Sequence, residues 1–273
     1  MPTAVELDAL AQEMKTAQDL VQQIEPFTKR IQNFDLASAY QVAARIHRAR
    51  ISEGANPRGR KIGFTNPEMW SIYGVCEPVW AYVYDTTVTQ LEHLQAECSI
   101  NRFAEPKIEP EIVFHFRSDL PGNARFADVV NAIDWVAHGF EIVQSHFPGW
   151  RFQAPDTVAD LALHGMLLIG PPLPLEKLGS DPAGVLESIS VDLFRDDKLI
   201  ETGAGANVLG NPFAAVAHLV SVLNKQPDNE PLKAGEIVST GTMTTAHAVN
   251  TGETWRSEIR GAELAGLTVQ FVR

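Results

Sequence analysis

Cysteine is scarce in this chain, whose 273 residues include only Cys76 and Cys98. Two cysteines are too few for a disulfide scaffold, and neither lies at a spacing from cysteine or histidine that binds metal. Neither sits in a recognisable nucleophile signature and the G-x-S-x-G elbow is missing, so covalent acyl-enzyme chemistry has no support in the sequence. This cysteine usage predicts a reducing, cytoplasmic location.

Positive charge and long apolar runs are also lacking. The 22 Lys and Arg residues are outnumbered by 34 Asp and Glu residues, which gives a net charge of −12. A field of that sign repels phosphate, so we expect neither a nucleic-acid partner nor an anionic membrane partner. The sequence shows no apolar run long enough to span a bilayer, and the segment Met1-Pro2-Thr3-Ala4 does not open a secretory signal, so we expect no membrane association.

The chain changes in texture near residue 58. Residues 3–25 and 35–54 carry apolar side chains at three- and four-residue steps, which predicts two helices, the second capped by Asp35. From residue 59 onward, short apolar runs are separated by Gly, Pro, Asn and Asp. We therefore predict an N-terminal helical region over residues 1–58 and a metal-binding, β-rich catalytic domain over residues 59–273.

The predicted strands of the second region outnumber its helices and do not alternate with them. This favours an α+β fold with a mixed, rolled β-sheet over a doubly wound parallel sheet. Strands are predicted at 60–65, 87–92, 107–116, 139–145, 165–170, 187–195, 198–202, 235–240, 253–260 and 265–272. Helices are predicted at 66–73, 126–138, 156–163 and 212–224.

Two carboxylates lie two residues apart in the strand-like run Lys107–Phe114. Side chains alternate between the faces of an extended chain, so Glu109 and Glu111 share a face, with Cα atoms roughly 6–7 Å apart. Glu141 lies in a similar apolar run. Buried carboxylates need a cation, and three such oxygen donors suit Mg²⁺ or Mn²⁺. A solvated face, where the acids simply meet water, is the alternative explanation of the pair taken alone.

Three further charged residues are candidates for chemistry. Lys61, in a short strand between glycines, is either a surface cation or a group that hydrogen-bonds a substrate oxygen or transfers a proton. Asp85 ends an aromatic strand and is either a turn residue or a general base. Asp156 either simply caps a helix or marks a helix N-terminus that faces a substrate carboxylate.

Glycine-containing turns supply the last candidates. Thr240 and Gly241 follow an apolar strand, where hydroxyl and backbone N–H groups either form a turn or cradle a small substrate carboxylate. The glycines of Gly203–Gly210 have the spacing G-x-G-x-x-x-x-G rather than that of a dinucleotide fingerprint. We expect a turn there and no nicotinamide site.

Four motifs, taken in order, resemble the 2-keto-4-pentenoate hydratase and 4-oxalocrotonate decarboxylase family, part of the fumarylacetoacetate hydrolase superfamily. They are Gly59-Arg60-Lys61-Ile62-Gly63-Phe64-Thr65, Pro106-Lys107-Ile108-Glu109-Pro110-Glu111-Ile112, Phe140-Glu141-Ile142-Val143-Gln144-Ser145 and Asp156-Thr157-Val158-Ala159-Asp160. The resemblance implies a divalent metal, Mg²⁺ or Mn²⁺, held by Glu109, Glu111 and Glu141. It also implies that Lys61 polarises or protonates an enol and that Asp85 shuttles a proton.

The resemblance further implies a metal-dependent lyase that adds water to a 2-keto-4-pentenoate-like 2-hydroxydienoate and yields a 4-hydroxy-2-keto acid. It implies a small 2-keto acid as substrate and a homo-oligomer. Alternatives are a decarboxylase of a 4-oxalocrotonate-like acid, an acylpyruvate hydrolase, and a catalytically silent subunit that pairs with a homologous hydratase or decarboxylase. Hydrolysis would need a His–Glu pair, and His47 and Glu53 lie on a predicted helix without a lid signature. Leu161 and Leu163 stand where relatives often carry Asn and Ser, which favours an apolar substrate tail.

Overall fold

The computed structural model describes residues 2–67, 70–75, 77–226 and 230–273. Its strands are Pro57–Gly63 (β1), Val79–Tyr84 (β2), Val88–Gln90 (β3), Gln95–Ser99 (β4), Lys107–Phe116 (β5), Ile133–Val143 (β6), His164–Ile169 (β7), Leu173–Pro174 (β8), Ser190–Arg195 (β9), Lys198–Ala204 (β10), Ile237–Thr242 (β11), His247–Ala248 (β12), Thr254–Arg260 (β13) and Thr268–Val272 (β14). Its α-helices are Ala4–Leu20 (α1), Phe27–Arg30 (α2), Leu36–Ser52 (α3), Trp70–Tyr73 (α4), Phe126–Ala132 (α5), Ala154–Ala159 (α6), Pro182–Ser188 (α7) and Pro212–Lys225 (α8).

The strands form two sheets of mixed direction. The larger sheet has the order β2-β1-β11-β5-β6-β7-β3, with β12 added to β5 and β8 added to β6. In it β1 and β11 run parallel, as do β3 and β7, whereas β5 pairs antiparallel with both β11 and β6. The smaller sheet has the order β10-β9-β13-β14-β4. The predicted α+β fold with a mixed sheet is confirmed.

The main core lies where α8 packs against the larger sheet. Phe213 stacks on Phe114 of β5 with ring centroids 4.6 Å apart, and Val216 and Leu219 are buried in the same cluster. By length and composition alone, the segment Gly205–Lys225 is apolar enough to cross a membrane, but half of its apolar stretch is buried inside the protein. Its apolar residues therefore serve the core.

The N-terminal helices begin at the caps that the sequence favours. The Thr3 side chain accepts from the backbone of Glu6, and Asp35 accepts from the backbone N–H of Ser38. The apolar faces of α1 and α3 share one buried cluster with side chains of β2 and α6, including Val79. The helices thus rest on β2, the edge strand of the larger sheet. The division near residue 58 stays a prediction.

Two predicted elements have the wrong type at one end. The helix predicted over 126–138 ends at Ala132, and β6 begins at Ile133. β6 is a central strand of the larger sheet, and consecutive residues along it are buried, so both of its faces are covered. Its apolar residues therefore do not alternate and cannot be distinguished from a helix by periodicity. The strand predicted over 187–195 begins at Ser190, because residues 187 and 188 end α7.

Other elements were missed or misplaced. Strand β4, Gln95–Ser99, was not predicted, since its half-exposed residues carry little apolar signal. The helix predicted over 156–163 breaks at Asp160, after which Leu161, Ala162 and Leu163 have left-handed φ angles of 48°, 53° and 62°. Of the helix predicted over 66–73, residues 68 and 69 lie outside the described residues, and α4 covers its C-terminal end.

Candidate metal centre

Three glutamates from adjacent strands converge on one point. Glu109 and Glu111 project from the same face of β5, and Glu109 lies directly opposite Glu141 of β6. One carboxylate oxygen from each residue lies within 4.8 Å of the others. The long β5–β6 ladder therefore brings together acids that are about 30 residues apart in sequence, as expected from their patterns.

One oxygen of each buried carboxylate is held by protein donors. The Ser239 hydroxyl and the Gly241 backbone N–H, the latter at 2.9 Å, donate to Glu111 Oε2. His164 Nδ1 lies 2.7 Å from Glu141 Oε1. Within the described part of the chain, Glu111 Oε1 and Glu141 Oε2 are buried without a hydrogen-bond partner. Buried carboxylate oxygens left in this way fit a cation.

Lys61 is a buried residue of the cluster and not a surface cation. Its exposed fraction is 2%, and its Nζ donates to the Ala162 carbonyl at 2.9 Å and lies 3.2 Å from Glu141 Oε2. Three ionised carboxylates and one ammonium leave two negative charges, which is the charge that a divalent cation would neutralise.

The shifts in pKa reflect this crowding. Burial and the neighbouring Glu141 raise the pKa of Glu109 to about 7 against the opposing effect of Lys61, and the pKa of Glu111 is raised well above its ordinary value for the same reasons. Burial also acts to raise the pKa of Glu141, but Lys61 and the hydrogen bond from His164 outweigh it and lower that pKa. For Lys61, burial is outweighed by the three carboxylates, which raise its pKa.

A cavity opens beside Lys61 and Glu109. Its walls are largely apolar and include Phe64, Val143, Trp150, Ala162, Leu163 and Ala246. The left-handed turn Leu161–Leu163 forms one side: it presents the Ala162 carbonyl to Lys61 and the Leu163 side chain to the cavity. Left-handed backbone in non-glycine residues is costly, and such strain concentrates at functional sites.

Comparison with known proteins places the chain in a family. A profile described as fumarylacetoacetate (FAA) hydrolase C-terminal matches residues 77–271. The chain belongs to this family. The resemblance stated from the four motifs is confirmed, and the relatives specify which branch of the family is similar.

Two relatives and one solved structure match this fumarylacetoacetate hydrolase family member over nearly its whole length. The 2-keto-4-pentenoate hydratase of Paraburkholderia xenovorans (strain LB400) is 30% identical over 261 residues, covering 95% of this chain and 93% of that one. The 4-oxalocrotonate decarboxylase of Pseudomonas putida is 28% identical over 265 residues, covering 97% and 96%. The structure of 4-oxalocrotonate decarboxylase from Pseudomonas putida G7, complexed with magnesium and adipate, superposes with a TM-score of 0.90, 27% identity and coverage of 100% and 99%.

The structure of this family member does not bring Asp85 to the cluster. Asp85 is exposed and accepts hydrogen bonds from the backbone N–H and side-chain amide of Asn56. It lies four residues beyond Ala81, the strand partner of Lys61, or roughly 13 Å along β2. The turn interpretation of Asp85 fits this placement, and its assignment as a proton shuttle is corrected.

Asp156 likewise does not line the cavity. Its Oδ1 accepts from the Thr28 backbone N–H at 3.0 Å and its Oδ2 accepts from the Thr28 hydroxyl at 2.6 Å and from the Gln153 backbone at 2.9 Å. Asp156 therefore caps α6 and fastens α2 to it. With both oxygens engaged in this way, the assignment of Asp156 to substrate binding is corrected.

Thr240 and Gly241 have different placements. The Thr240 hydroxyl donates to the carbonyl of Ile112 on the neighbouring strand β5, so the Thr240 side chain has a structural role. The Gly241 backbone donates to Glu111. At Gly241, with φ of 99°, a Cβ would lie 1.8 Å from Thr65 Oγ1, so glycine is required. Thr242, the next residue, lines the cavity.

Several contributors were not predicted from the sequence. Ser239 shares a strand face with Gly241, so the alternation rule could have found it. His164 and Trp150 gave no local signal. Glu201 of the smaller sheet was also missed. Its carboxylate accepts from Thr245 Oγ1 at 2.6 Å and lies 2.6 Å from His247 Nε2. These contacts fix the residues on either side of Ala246, which lines the cavity.

The pair considered for hydrolysis is separated in the fold. His47 Nδ1 lies 2.9 Å from the Tyr84 hydroxyl, and the His47 ring stacks on Tyr82 at 3.9 Å. Glu53 instead forms an ion pair with Lys15 at 2.6 Å. Neither residue lines the cavity at the carboxylate cluster, so this part of α3 supplies no water-activating pair.

We expect the metal-free protein to lose stability as pH rises through the raised pKa of Glu109. A carboxyl group with a folded-state pKa of about 7 and an ordinary pKa of 4.5 binds its proton more tightly when folded, so its contribution to stability is lost between roughly pH 4.5 and pH 7. Burial lowers the pKa of His138 to about 4, which acts in the opposite sense. The measurement is therefore urea unfolding in EDTA at pH 5 and 7.5 for wild type and Glu109→Gln. From pH 5 to pH 7.5, the free energy of unfolding of Glu109→Gln should rise by roughly 1–3 kcal/mol relative to that of wild type. Equal changes in the free energy of unfolding of the two proteins would contradict the prediction.

Proposed function

We propose that this protein is a divalent-metal-dependent lyase that adds water to a 2-keto-4-pentenoate-like 2-hydroxydienoate to give a 4-hydroxy-2-keto acid. The observation that carries the proposal is the convergence of Glu109, Glu111 and Glu141 within 4.8 Å beside the buried Lys61. The 2-keto-4-pentenoate hydratase relative, similar over 95% of the chain, supports the reaction class.

The three glutamates fit a hard divalent ion and would hold it. They offer oxygen donors only. Within the described residues, Glu111 Oε1 and Glu141 Oε2 accept no hydrogen bond, and the second of these oxygens is met by the ion pair with Lys61. The net charge of the three glutamates with Lys61 suits a dication. Mg²⁺ and Mn²⁺ both meet these conditions, and the decarboxylase structure with magnesium and adipate supports a site of this kind. When bound, such an ion would supply Lewis acidity toward the carboxylate and 2-oxygen of a keto acid.

Lys61 is placed to act on the substrate oxygen. Its ammonium is fixed between Glu141 and the Ala162 carbonyl, and it lines the cavity. From there it would donate a hydrogen bond to the 2-oxygen and stabilise the charge that develops on it as the dienol ketonises. Among the described residues lining the cavity, Lys61 and Glu109 are the ionisable side chains. Lys61 is therefore assigned the proton transfer that the family resemblance divides between Lys61 and Asp85.

The apolar wall of the cavity favours an uncharged substrate tail. Phe64, Val143, Trp150 and Leu163 surround the space beyond Lys61. A second carboxylate placed against these side chains would lose its hydration. Among the described residues that line the cavity the cation is Lys61, which is assigned to the 2-oxygen and so is not available to the tail. Leu163 thus agrees with the apolar tail expected from the sequence, whereas Leu161 lies outside this cavity and lines two others.

Decarboxylation of a 4-oxalocrotonate-like acid is the second candidate. It is favoured by the match in fold to the decarboxylase structure, with a TM-score of 0.90 over 100% of this chain. The two reactions share metal binding and enolate stabilisation and differ in the second half. Water adds at C4 in the hydratase, whereas a distal carboxylate leaves as CO₂ in the decarboxylase.

The decisive experiment is turnover of defined substrates by the purified protein with Mg²⁺ or Mn²⁺. We expect 2-hydroxypenta-2,4-dienoate to lose its ultraviolet absorbance, with a 4-hydroxy-2-keto acid as product and no reaction in EDTA. A silent partner subunit would bind this compound without consuming it. CO₂ release from 4-oxalocrotonate at a higher kcat/KM than dienoate hydration would replace the hydratase by the decarboxylase.

We expect tail preference to follow the apolar wall. In a panel of 2-hydroxydienoates, those with alkyl or aryl tails should have kcat/KM values about 10-fold or more above those with a tail carboxylate, because an unpaired charge would be desolvated. Leu163→Ser should narrow the ratio without changing metal affinity. Preference of the wild type for the most polar dicarboxylate would contradict this expectation.

The assembly expectations stay predictions. A homo-oligomer, and a complex with a homologous hydratase or decarboxylase, follow from the resemblance.

A further inference from the structure

The side chain of His164 bridges the glutamate cluster and Thr87, which lies in the loop between β2 and β3. It is the first residue of β7, and its side chain is 4% exposed. Its Nδ1 lies 2.7 Å from Glu141 Oε1, and its Nε2 lies 2.9 Å from the Thr87 hydroxyl. The ring therefore has a polar partner at each nitrogen and one defined orientation.

The proton on Nδ1 follows from the partners. An ionised carboxylate can only accept, so Nδ1 must carry the hydrogen that points to Glu141 Oε1. The Thr87 hydroxyl can donate to Nε2 of a neutral ring or accept from a charged one. In either protonation state of the ring, Oε1 is occupied by His164, and Oε2 is the oxygen that faces Lys61 Nζ at 3.2 Å.

We propose that His164 is a positioning residue that fixes the rotation of the Glu141 carboxylate and thereby sets the affinity of the site for its divalent metal. The inference rests on the proposed metal centre and deepens it. Outer hydrogen bonds of this kind orient ligands in metal sites, and their loss typically costs 10- to 100-fold in affinity. Without His164, the buried carboxylate could rotate or turn both oxygens toward Lys61.

The backbone before His164 supports this role. The left-handed turn Leu161–Leu163 ends at His164, and it delivers the Ala162 carbonyl to Lys61 as well as the His164 ring to Glu141. This one costly turn therefore fixes both the Lys61 ammonium, through the Ala162 carbonyl, and the Glu141 carboxylate, through the His164 ring. The other side of His164 borders a separate cavity of about 450 Å³, so a smaller side chain there would admit water.

The test measures Mn²⁺ affinity of the purified protein from the free-ion electron paramagnetic resonance signal, with calorimetry as a second readout. His164→Leu removes the donor and should weaken Mn²⁺ binding 10- to 100-fold. His164→Asn keeps an N–H near the position of Nδ1 and should restore affinity to within about threefold of wild type. Thr87→Val leaves His164 in place, frees its ring to rotate, and should weaken binding by a smaller factor.

The matched control is His115→Leu. His115 Nδ1 lies 2.7 Å from Asp134 on the same sheet, but this pair is away from the glutamates, so Mn²⁺ affinity should not change. Unchanged affinity in His164→Leu, or equal losses in His164→Leu and His164→Asn, would overturn the inference. If His164→Leu fails to fold, the comparison of Thr87→Val and His164→Asn with wild type decides, and wild-type affinity in Thr87→Val would overturn it.

The outcomes separate the inference from the proposed function. Tight Mn²⁺ binding by the wild type with no turnover of any dienoate would refute the lyase and leave the role of His164 standing. Full lyase activity of the wild type, together with a Mn²⁺ affinity that His164→Leu leaves unchanged, would refute the role of His164 and leave the lyase standing. A wild type that binds no Mn²⁺ would overturn both.

Discussion

Glu111→Gln should abolish metal-dependent turnover, lowering kcat/KM by at least about a thousandfold, because several kcal/mol of transition-state stabilisation depend on the bound metal. The side chain keeps its size, and its Oε2 position still meets the Ser239 hydroxyl and Gly241 N–H. What the change removes is one negative charge and one strong donor oxygen from the cluster. The measurement is steady-state turnover over a range of Mg²⁺ and Mn²⁺ concentrations.

The same substitution should have the opposite effect on the metal-free protein. Burial and the neighbouring acids raise the pKa of Glu111 well above its ordinary value, so at neutral pH its ionised form is unfavourable in the fold. In EDTA, Glu111→Gln should therefore unfold at a temperature equal to or above that of wild type. On adding metal the wild type should gain stability and the variant little. A variant that is inactive and also less stable in EDTA would indicate a folding defect and contradict this account.

Lys61→Met should lower kcat by about 10²- to 10⁴-fold while leaving metal binding intact, which separates the chemistry from the metal. Methionine fills nearly the same volume as the buried lysine and removes its charge and hydrogen bonds. Because the ammonium lies 3.2 Å from Glu141 and would repel a dication, its loss should leave Mn²⁺ affinity unchanged or raise it. Turnover and Mn²⁺ titration on the same preparation, purified with metal present, check both parts.

Lys107→Met is the control for Lys61→Met. Lys107 Nζ lies 3.8 Å from the centre of the Trp150 ring, but Lys107 itself does not line the cavity and its side chain is only half-buried. We expect a change in kcat below about tenfold. If Lys61→Met kept more than a tenth of wild-type kcat, or if Lys107→Met lost as much, the assignment of Lys61 to the substrate oxygen would be wrong.

Glu141 and Glu201 have different roles around the cavity. Glu141 belongs to the cluster and is held from behind by His164. Glu201 lies on the smaller sheet, and its contacts with Thr245 and His247 fix Ala246 in the cavity wall. The larger sheet therefore carries the three glutamates proposed to hold the metal, while the smaller sheet fixes part of the cavity wall.

The identity of the ligand-like acids was accessible from the sequence because it depends on geometry within a strand. Strand 107–116 was predicted with its observed bounds, and side-chain alternation alone places Glu109 and Glu111 on one face. The motif order around Lys61 and Glu141 was enough to identify the family, which the profile over residues 77–271 confirms. These features are local, so a single sequence carries them.

The placement of Asp85 and Asp156, by contrast, could not be settled locally. Both are aspartates at the ends of elements, where a capping residue and a catalytic residue have the same sequence context. Only the packing shows that Asn56 engages Asp85 and that Thr28, 128 residues away, engages Asp156. The helix–strand boundary at Ile133 was missed for a related reason, since burial of both faces of β6 removes the alternation that marks a strand.

The sequence by itself thus determined the family, the mixed α+β architecture and which acids share a strand face, because repeating backbone geometry encodes these over a few residues. Tertiary structure alone decided that Lys61 is buried against Glu141, that His164 orients that carboxylate, and that Asp85 stays at the surface. Those contacts depend on strand pairing and on a left-handed turn whose cost the surrounding packing must offset. No local pattern reports the balance of such long-range terms.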